Sequence, residues 1–362
     1  LEGSIRVLIC DDSFFVRSVL RRMLTEAPGY TVVGTAQNGL EAVTKARELR
    51  PDVITMDVEM PVMNGLQALE KIMSEYPTPV VMVSSLTERD AEVTLQALAT
   101  GAVDFVQKPG QHGGLGIGQL REEIITKLQT AAMVDPVSLR SMVVAERQIR
   151  VSAVDGPRTK VISSHPGAEF PLVVIGSSTG GPSALSQLLP QLPADLGAAV
   201  IVVQHMPAGF TRSLADRLSR LSHLSVKEAS DDQLVKIDRV LVAPGGKHLL
   251  IKGNRVKLTE DAAIHGVRPA VDATLLSAVN SYGAQRIISV IMTGMGSDGS
   301  MGTQAVVGGG GWSLAQSRAT CVVYGMPRVL VERGLARQVA DLHEMPGLIV
   351  DAVTRWYQSS LS

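Results

Sequence analysis

Side chains able to do chemistry recur in this sequence where a short apolar run ends. Asp11 and Asp12 follow IRVLIC (5–10), Asp57 follows DVITM (52–56), Ser84 closes PVVMVS (79–84) and Lys108 follows DFVQ (104–107). Three carboxylates gathered at one edge repel, and a hard divalent cation such as Mg²⁺, bound by carboxylates and phosphate oxygens, relieves that repulsion. A hydroxyl and an ammonium beside them complete the parts of a phosphoryl-transfer site in which Asp57 is the nucleophile and carries an aspartyl phosphate. Each acid taken singly reads equally well as a solvated loop end or a helix cap.

A second set lies in the other half of the chain. LVVI runs into Gly176-Ser177-Ser178-Thr179-Gly180-Gly181, followed by a helical pattern. A Gly-x-Ser-x-Gly between strand and helix suits a sharp turn that exposes the Ser178 hydroxyl, with following backbone N–H groups, Thr179 first, available to an oxyanion. The same glycines suit a dinucleotide or phosphate cradle. A dinucleotide fold calls for an acid about 20 residues on, but the next apolar run ends in Gln204-His205-Met206. His205 can act as a base toward Ser178, and Asp298, in Met295-Gly296-Ser297-Asp298-Gly299 after RIISVIMTG, can orient its ring. Asp272 is a rival carboxylate, yet in RPAVDATLLSAV it reads as a helix N-terminal residue that satisfies backbone donors. His112, His165, His223, His248, His265 and His343 read as packed or surface histidines. The order Ser, His, Asp differs from that of the α/β-hydrolases, where the acid precedes His.

Alternating strands and helices must position these groups. From Ile5 to about Met133 five β-rich runs alternate with segments such as GLEAVTKARELR, apolar at three- and four-residue spacing. That pattern predicts a flavodoxin-like doubly wound sheet of order 2-1-3-4-5, which sets strands one and three side by side and brings their acids together at the carboxyl edge. Residues 134–170, rich in small, polar and turn-forming residues, read as a linker, which places a first domain at 5–133 and a second at 171–357. The second domain also reads as α/β, mostly parallel, with strands at 172–176, 198–204 and 286–294; 239–259, broken by Pro-Gly-Gly and Gly-Asn, suggests antiparallel hairpins added to the sheet. The only biased patches are glycine-rich, at 110–118 and 308–311.

Composition narrows the function classes. The chain has 362 residues, 45% hydrophobic and 19% charged, enough apolar material for packed cores and too little charge for global disorder. Its 34 basic and 35 acidic residues give a net charge of −1, a balance that disfavours nucleic acid as main ligand. Two cysteines, Cys10 and Cys321, fit a reducing compartment. No run reaches the ~18 residues of a membrane span, and Leu1-Glu2-Gly3-Ser4 lacks an apolar signal region, so a cytoplasmic protein without membrane insertion is expected.

Two resemblances sharpen this reading. The first ~130 residues resemble the receiver domain of two-component response regulators in the Asp11-Asp12 pair, Asp57 in MDVEMPVMNG, the Ser84 switch position and the Lys108-Pro109 step. The resemblance implies Mg²⁺ held by Asp11, Asp12 and Asp57, and phosphate from a histidine kinase. From Leu172 to Trp356 the motifs IGSSTGGP, VVQHMPAGFTRSLADRL, LVAPGGKHL, RPAVD, MTGMGSDG and CVVYGMPR resemble the catalytic domain of chemotaxis protein-glutamate methylesterases. Matched motif by motif, Ser178 is the nucleophile, His205 the base and Asp298 its orienting acid, with the backbone N–H of Met295 in the oxyanion site and no cofactor for the ester chemistry. Ser297 stands where that family usually has Asn, and HGVRPAVD departs from its common HRPSVD form.

The resulting expectation is a phosphorylation-activated serine hydrolase that removes γ-methyl esters from glutamates of methyl-accepting chemoreceptors, releases methanol and also deamidates receptor glutamines. Its phosphodonor is a chemotaxis histidine kinase. Two rivals are a receiver-controlled nucleotide-binding module, which would use Gly176 to Gly181 as its cradle, and a transcriptional regulator. The second calls for a short helical output with a basic recognition helix, against the α/β pattern found here.

Overall fold

The computed structural model of the chain describes residues 3–85, 88–108, 117–134 and 169–360, and the chain divides into two compact units, 1–147 and 148–362. The expected linker lies outside the described residues except for Val134, Glu169 and Phe170, as do His112, His165 and Pro109. Glu169 and Phe170 belong with the second domain: Arg286 pairs with the Glu169 carboxylate at 3.2 Å and donates to the Phe170 carbonyl at 3.0 Å.

The first domain is a five-stranded parallel sheet of order β2-β1-β3-β4-β5. Its strands are β1 (Ile5–Cys10), β2 (Tyr30–Ala36), β3 (Val53–Asp57), β4 (Val80–Ser84) and β5 (Asp104–Gln107). The helices are α1 (Phe14–Thr25), α2 (Gly39–Leu49), α3 (Gly65–Glu75), α4 (Glu88–Thr100) and α5 (Ile117–Ala131). Strands β3 and β4 are buried at every position, the signature of central parallel strands covered on both faces, where β-branched residues fit the pleat. Each fully buried Val or Ile there contributes about 1.5–3 kcal/mol of transfer free energy. Helix α1 starts right after the Asp11-Asp12 pair, where Ser13 accepts from the Val16 N–H, and α3 starts with a reciprocal Asn64–Gln67 capping box, after a loop that follows Asp57.

The second domain holds a seven-stranded sheet, parallel throughout, of order β14-β13-β12-β6-β7-β9-β8. Its members are β6 (Leu172–Ser177), β7 (Ala199–Gln204), β8 (Ser225–Glu228), β9 (Arg239–Val242), β12 (Ile287–Ile291), β13 (Trp312–Gln316) and β14 (Gln338–Ala340). The segment 239–259 does not form two hairpins on this sheet. Its first run, β9, is a parallel member of the sheet, and Pro244-Gly245-Gly246 carries the chain away from it; only β10 (His248–Lys252) and β11 (Arg255–Thr259) form a hairpin, a separate two-stranded sheet turned at Gly253-Asn254. A left-handed φ of 59° at Gly253 suits that two-residue turn. The helices are α6 (Gly181–Leu188), α7 (Phe210–Leu221), α8 (Val271–Tyr282), α9 (Ser300–Gly308), α10 (Met326–Glu332) and α11 (Met345–Ser360).

Strands β8, β13 and β14 escape the sequence pattern. β8 and β14 are edge strands of four and three residues, too short for a period to register. β13 carries buried Ser313 and Gln316 in place of apolar residues. Strand β6 is the topological switch: β7 lies on one side of it and β12 on the other, so a crevice opens beyond its carboxyl end, where open α/β sheets bind ligands.

Candidate active site

At the carboxyl edge of the first sheet, Asp11, Asp12 and Asp57 present carboxylate oxygens within 4.8 Å of one another. Lys108 Nζ lies 2.6 Å from Asp57 Oδ2 and 3.1 Å from Asp11 Oδ2. Asp11 Oδ1 accepts the Ser13 N–H at 2.8 Å, while its Oδ2 is buried and receives no aligned hydrogen bond. Burial pushes the Asp57 carboxyl up to about 6; Lys108 opposes that rise and the charges of Asp11 and Asp12 add to it. Such a group is ionised at neutral pH but holds its charge at a cost, and a divalent cation on these three acids fits the excess of negative charge, three carboxylates against the one ammonium of Lys108. Ser84 is placed differently from the expectation of a hydroxyl facing this point. It is buried, accepts from Thr94 Oγ1 at 2.8 Å and donates to the Ser85 carbonyl at 3.2 Å.

In the second domain the ends of β7, β6 and β12 bring His205, Ser178 and the loop to Asp298 to one crevice. Ser178 sits between β6 and α6, held by its N–H on the Thr293 carbonyl at 3.0 Å, and its own carbonyl accepts the Gly181 N–H at 2.8 Å. Two N–H groups of the glycine turn are thus spent inside the protein, which argues against a phosphate cradle. Gly294 permits the approach of the two loops, since a Cβ there would lie 2.7 Å from Ser178 Cβ and 2.5 Å from Met326 Sδ. Met295 follows Gly294 in the chain; Thr179 is buried, with its carbonyl accepting from Thr293 Oγ1 at 2.9 Å.

The imidazole of His205 is turned so that Nε2 lies 2.7 Å from Asp298 Oδ2, which leaves Nδ1 as the nitrogen to exchange a proton with a hydroxyl. Asp298 is 2% exposed and accepts three backbone bonds besides: Val271 N–H to Oδ2 at 2.6 Å, and Asp272 and Gly299 N–H to Oδ1 at 2.9 Å each. Burial would raise its pKa, but His205 and these N–H groups outweigh it and hold the carboxyl below its ordinary value. An anion at the first turn of α8 is also where the helix dipole favours it.

Asp272 does not play the part its sequence position suggests. The donors at the start of α8 go to Asp298, and the Asp272 carboxylate points outward from its own helix to accept the Gly302 N–H of α9 at 2.7 Å and to meet His265 Nε2 at 2.9 Å. A helix N-terminus satisfied by an acid from another loop carries no local sequence signature.

Gln204 is the functional residue that sequence reasoning missed. Its buried carboxamide donates to the Ser178 carbonyl at 2.9 Å and the His205 carbonyl at 3.1 Å and accepts from Ser177 Oγ at 2.6 Å, clamping the backbones of nucleophile and base together. Gly181 leaves room for this clamp: a Cβ there would lie 2.0 Å from Gln204 Oε1. The signal was an amide closing the otherwise apolar run AAVIVVQ.

Comparison with known proteins agrees with both domains. A model of the response regulator receiver domain matches residues 7–115, and one of the CheB methylesterase family matches residues 173–349. A protein-glutamate methylesterase/protein-glutamine glutaminase of Symbiobacterium thermophilum is 48% identical over 98% of both chains. One of the same description from Thermotoga maritima is 45% identical, covering 96% of this chain and 98% of its own. The crystal structure of the Thermotoga maritima CheB methylesterase catalytic domain is 44% identical, with a TM-score of 0.50, and covers 51% of this chain and all of its own. With such identity over nearly the whole length, the chain belongs to the CheB methylesterase family, with a response regulator receiver domain preceding the catalytic one.

Proposed function

We propose that this protein hydrolyses γ-methyl esters of glutamate on chemoreceptors by serine chemistry, releasing methanol, and that phosphorylation of Asp57 activates it. The observation that carries the reading is the convergence of Ser178, His205 and a buried, ionised Asp298 on one crevice at the switch point of the sheet. The Ser178 oxygen attacks the ester carbonyl carbon and its proton passes to His205 Nδ1. The ring, now cationic, is stabilised through Nε2 by Asp298. The N–H groups of Thr179 and Met295 stabilise the oxyanion. Collapse breaks the bond to the methoxy oxygen, which takes the proton from His205 and leaves as methanol. Water then attacks the acyl-enzyme and gives one proton to His205; the Ser178 oxygen leaves and recovers it, and glutamate is restored. A glutamine side chain passes through the same intermediates and releases ammonia, so deamidation of receptor glutamines belongs to the same site.

In the receiver, Asp11, Asp12 and Asp57 would hold Mg²⁺, which neutralises charge on an incoming phosphoryl group. Asp57 accepts phosphate from a chemotaxis histidine kinase, and Lys108 and Ser84 respond to the new charge. Ser84 then exchanges its bonds with Thr94 and Ser85, a local two-state change of the kind that phosphorylation switches use. The esterase step itself takes no cofactor, and the protein acts in the cytoplasm, without nucleic acid or membrane insertion.

The test is methanol release from methylated receptor by the full chain, its Ser178→Ala form and a fragment of about residues 164–362, with and without beryllofluoride and Mg²⁺. Release that depends on Ser178, is stimulated by beryllofluoride only in the full chain and is fastest in the fragment supports both catalysis and control. A fragment no faster than the unphosphorylated full chain would exclude inhibition by the receiver.

A further inference from the structure

Next to the triad stands a second carboxylate and imidazole that the ester chemistry above does not use. His265 Nε2 lies 2.9 Å from Asp272 Oδ2, and the donor atoms of His265, Asp272 and Asp298 lie within 4.8 Å of one another. The two acids are joined through backbone: the Asp272 N–H donates to Asp298 Oδ1, so the residue that His265 holds by its side chain holds the triad acid by its main chain. Asp272 is fully buried, and its other oxygen ties α8 to α9 through the Gly302 N–H at 2.7 Å. The side chain of His265, by contrast, is about a third exposed. One end of the chain of contacts therefore meets solvent and the other ends on His205.

The loop that carries His265 is built to keep it there. Ile264 and Val267 bridge each other, Arg268 donates to the carbonyls of Glu260 and Asp261 at 2.7 and 2.8 Å, and buried His248 spans the loop ends by accepting the Ala270 N–H and reaching the Ala262 carbonyl. His265 itself takes a left-handed φ of 53°, a conformation unusual for a non-glycine residue and here imposed by the bridge on either side of it. Besides His265, the charged group that acts on Asp272 is Asp298, from the loop after β12.

We infer that His265 is a positioning residue of the esterase: through Asp272 it anchors the N-terminus of α8 that holds Asp298. The inference rests on the serine-hydrolase reading. Burial and the neighbouring Asp298 charge both push the Asp272 carboxyl up, and the hydrogen bonds from Gly302 and His265 oppose that. Without the His265 bond the Asp272 carboxylate keeps only the Gly302 N–H, and the backbone N–H by which Asp272 holds Asp298 loses its outer anchor.

A fluorophosphonate probe that labels Ser178 tests this without any assumption about the natural ester. The full-length protein, His265→Gln and His265→Ala are compared by the labelling rate, with Ser178→Ala as the blank and a thermal melt to establish folding. Gln can still donate to Asp272, and Ala cannot. The expected result is a rate several-fold lower for Ala and largely restored for Gln. In methanol release the loss falls on kcat and KM stays put. Rates of both variants that equal the parent's overturn the inference, as does an equal loss in folded Ala and Gln forms. Failure of the parent protein itself to label at Ser178 overturns the serine-hydrolase reading and this inference with it.

Discussion

Asp298→Asn separates the structural from the chemical work of one buried carboxylate. The carboxylate receives four hydrogen bonds, two on each oxygen. An asparagine that keeps its oxygen toward Asp272 and Gly299 turns its NH₂ toward Val271, whose N–H lies 2.6 Å from the present Oδ2. That donor is buried, and leaving it without an acceptor costs about 1–3 kcal/mol. Loss of the negative charge at the start of α8 adds ~0.3–2 kcal/mol, for a destabilisation of roughly 2–4 kcal/mol. The same NH₂ faces His205 Nε2, which must then accept, so the ring proton moves to Nδ1 and the nitrogen meant to take the serine proton is already occupied. A wrong-tautomer histidine without its counter-charge should lower kcat by about 10²- to 10⁴-fold. Chemical denaturation and methanol release measure the two effects. Because the Asp298 carboxyl is held below its ordinary value in the folded protein, its stabilisation is present above the unfolded value of about 4 and fades as pH falls through the lowered one. The stability gap between parent and variant should therefore be constant from pH 5 to 8 and close only below pH ~4. A variant with parental stability and activity within threefold would refute the assigned geometry.

Ser178→Ala and His205→Ala should each abolish most turnover in folded protein; the first should leave the melting temperature nearly unchanged, while the second should lower it by removing a partner of the buried Asp298 carboxylate; methanol release and calorimetry decide. Gln204→Leu should lose two donors to the Ser178 and His205 carbonyls, lowering stability by roughly 2–4 kcal/mol and kcat more than KM, as denaturation and steady-state kinetics would show. Asp57→Asn should eliminate Mg²⁺-dependent, alkali-labile label from a phosphorylated kinase, and label persisting elsewhere would refute the site. The same variant should stabilise the receiver at pH 7.5 by up to about 3 kcal/mol, the equivalent of raising Asp57 to about 6. That gain should shrink as pH falls below 6 and vanish near 4, because the raised carboxyl takes up its proton in the folded protein first.

Much of this molecule is legible in its sequence because parallel strands buried on both faces must be continuous and apolar. LVVI, AVIVVQ and IISVI announce themselves as strands, and whatever polar residue ends each run is delivered to the carboxyl edge. That rule alone finds Ser178 and His205, and with the glycine-rich loop after β12 it finds Asp298. It also gathers Asp11, Asp57 and Lys108, since in the order 2-1-3-4-5 no other edge is open to them. Folding decides what local periodicity cannot carry. The short edge strands β8 and β14 are held by register with their neighbours β9 and β13, and β13 by buried hydroxyl and amide bonds. The Ser84 hydroxyl is held by Thr94 of α4. The partners of Asp298, Asp272, Gln204 and His265 come from loops 26 to 93 residues apart or from the turn before α8. A hydrogen bond depends on a few tenths of an ångström and a direction, and only the packed sheet and helices supply those; composition and spacing specify which groups reach the edge, and tertiary structure specifies which of them touch.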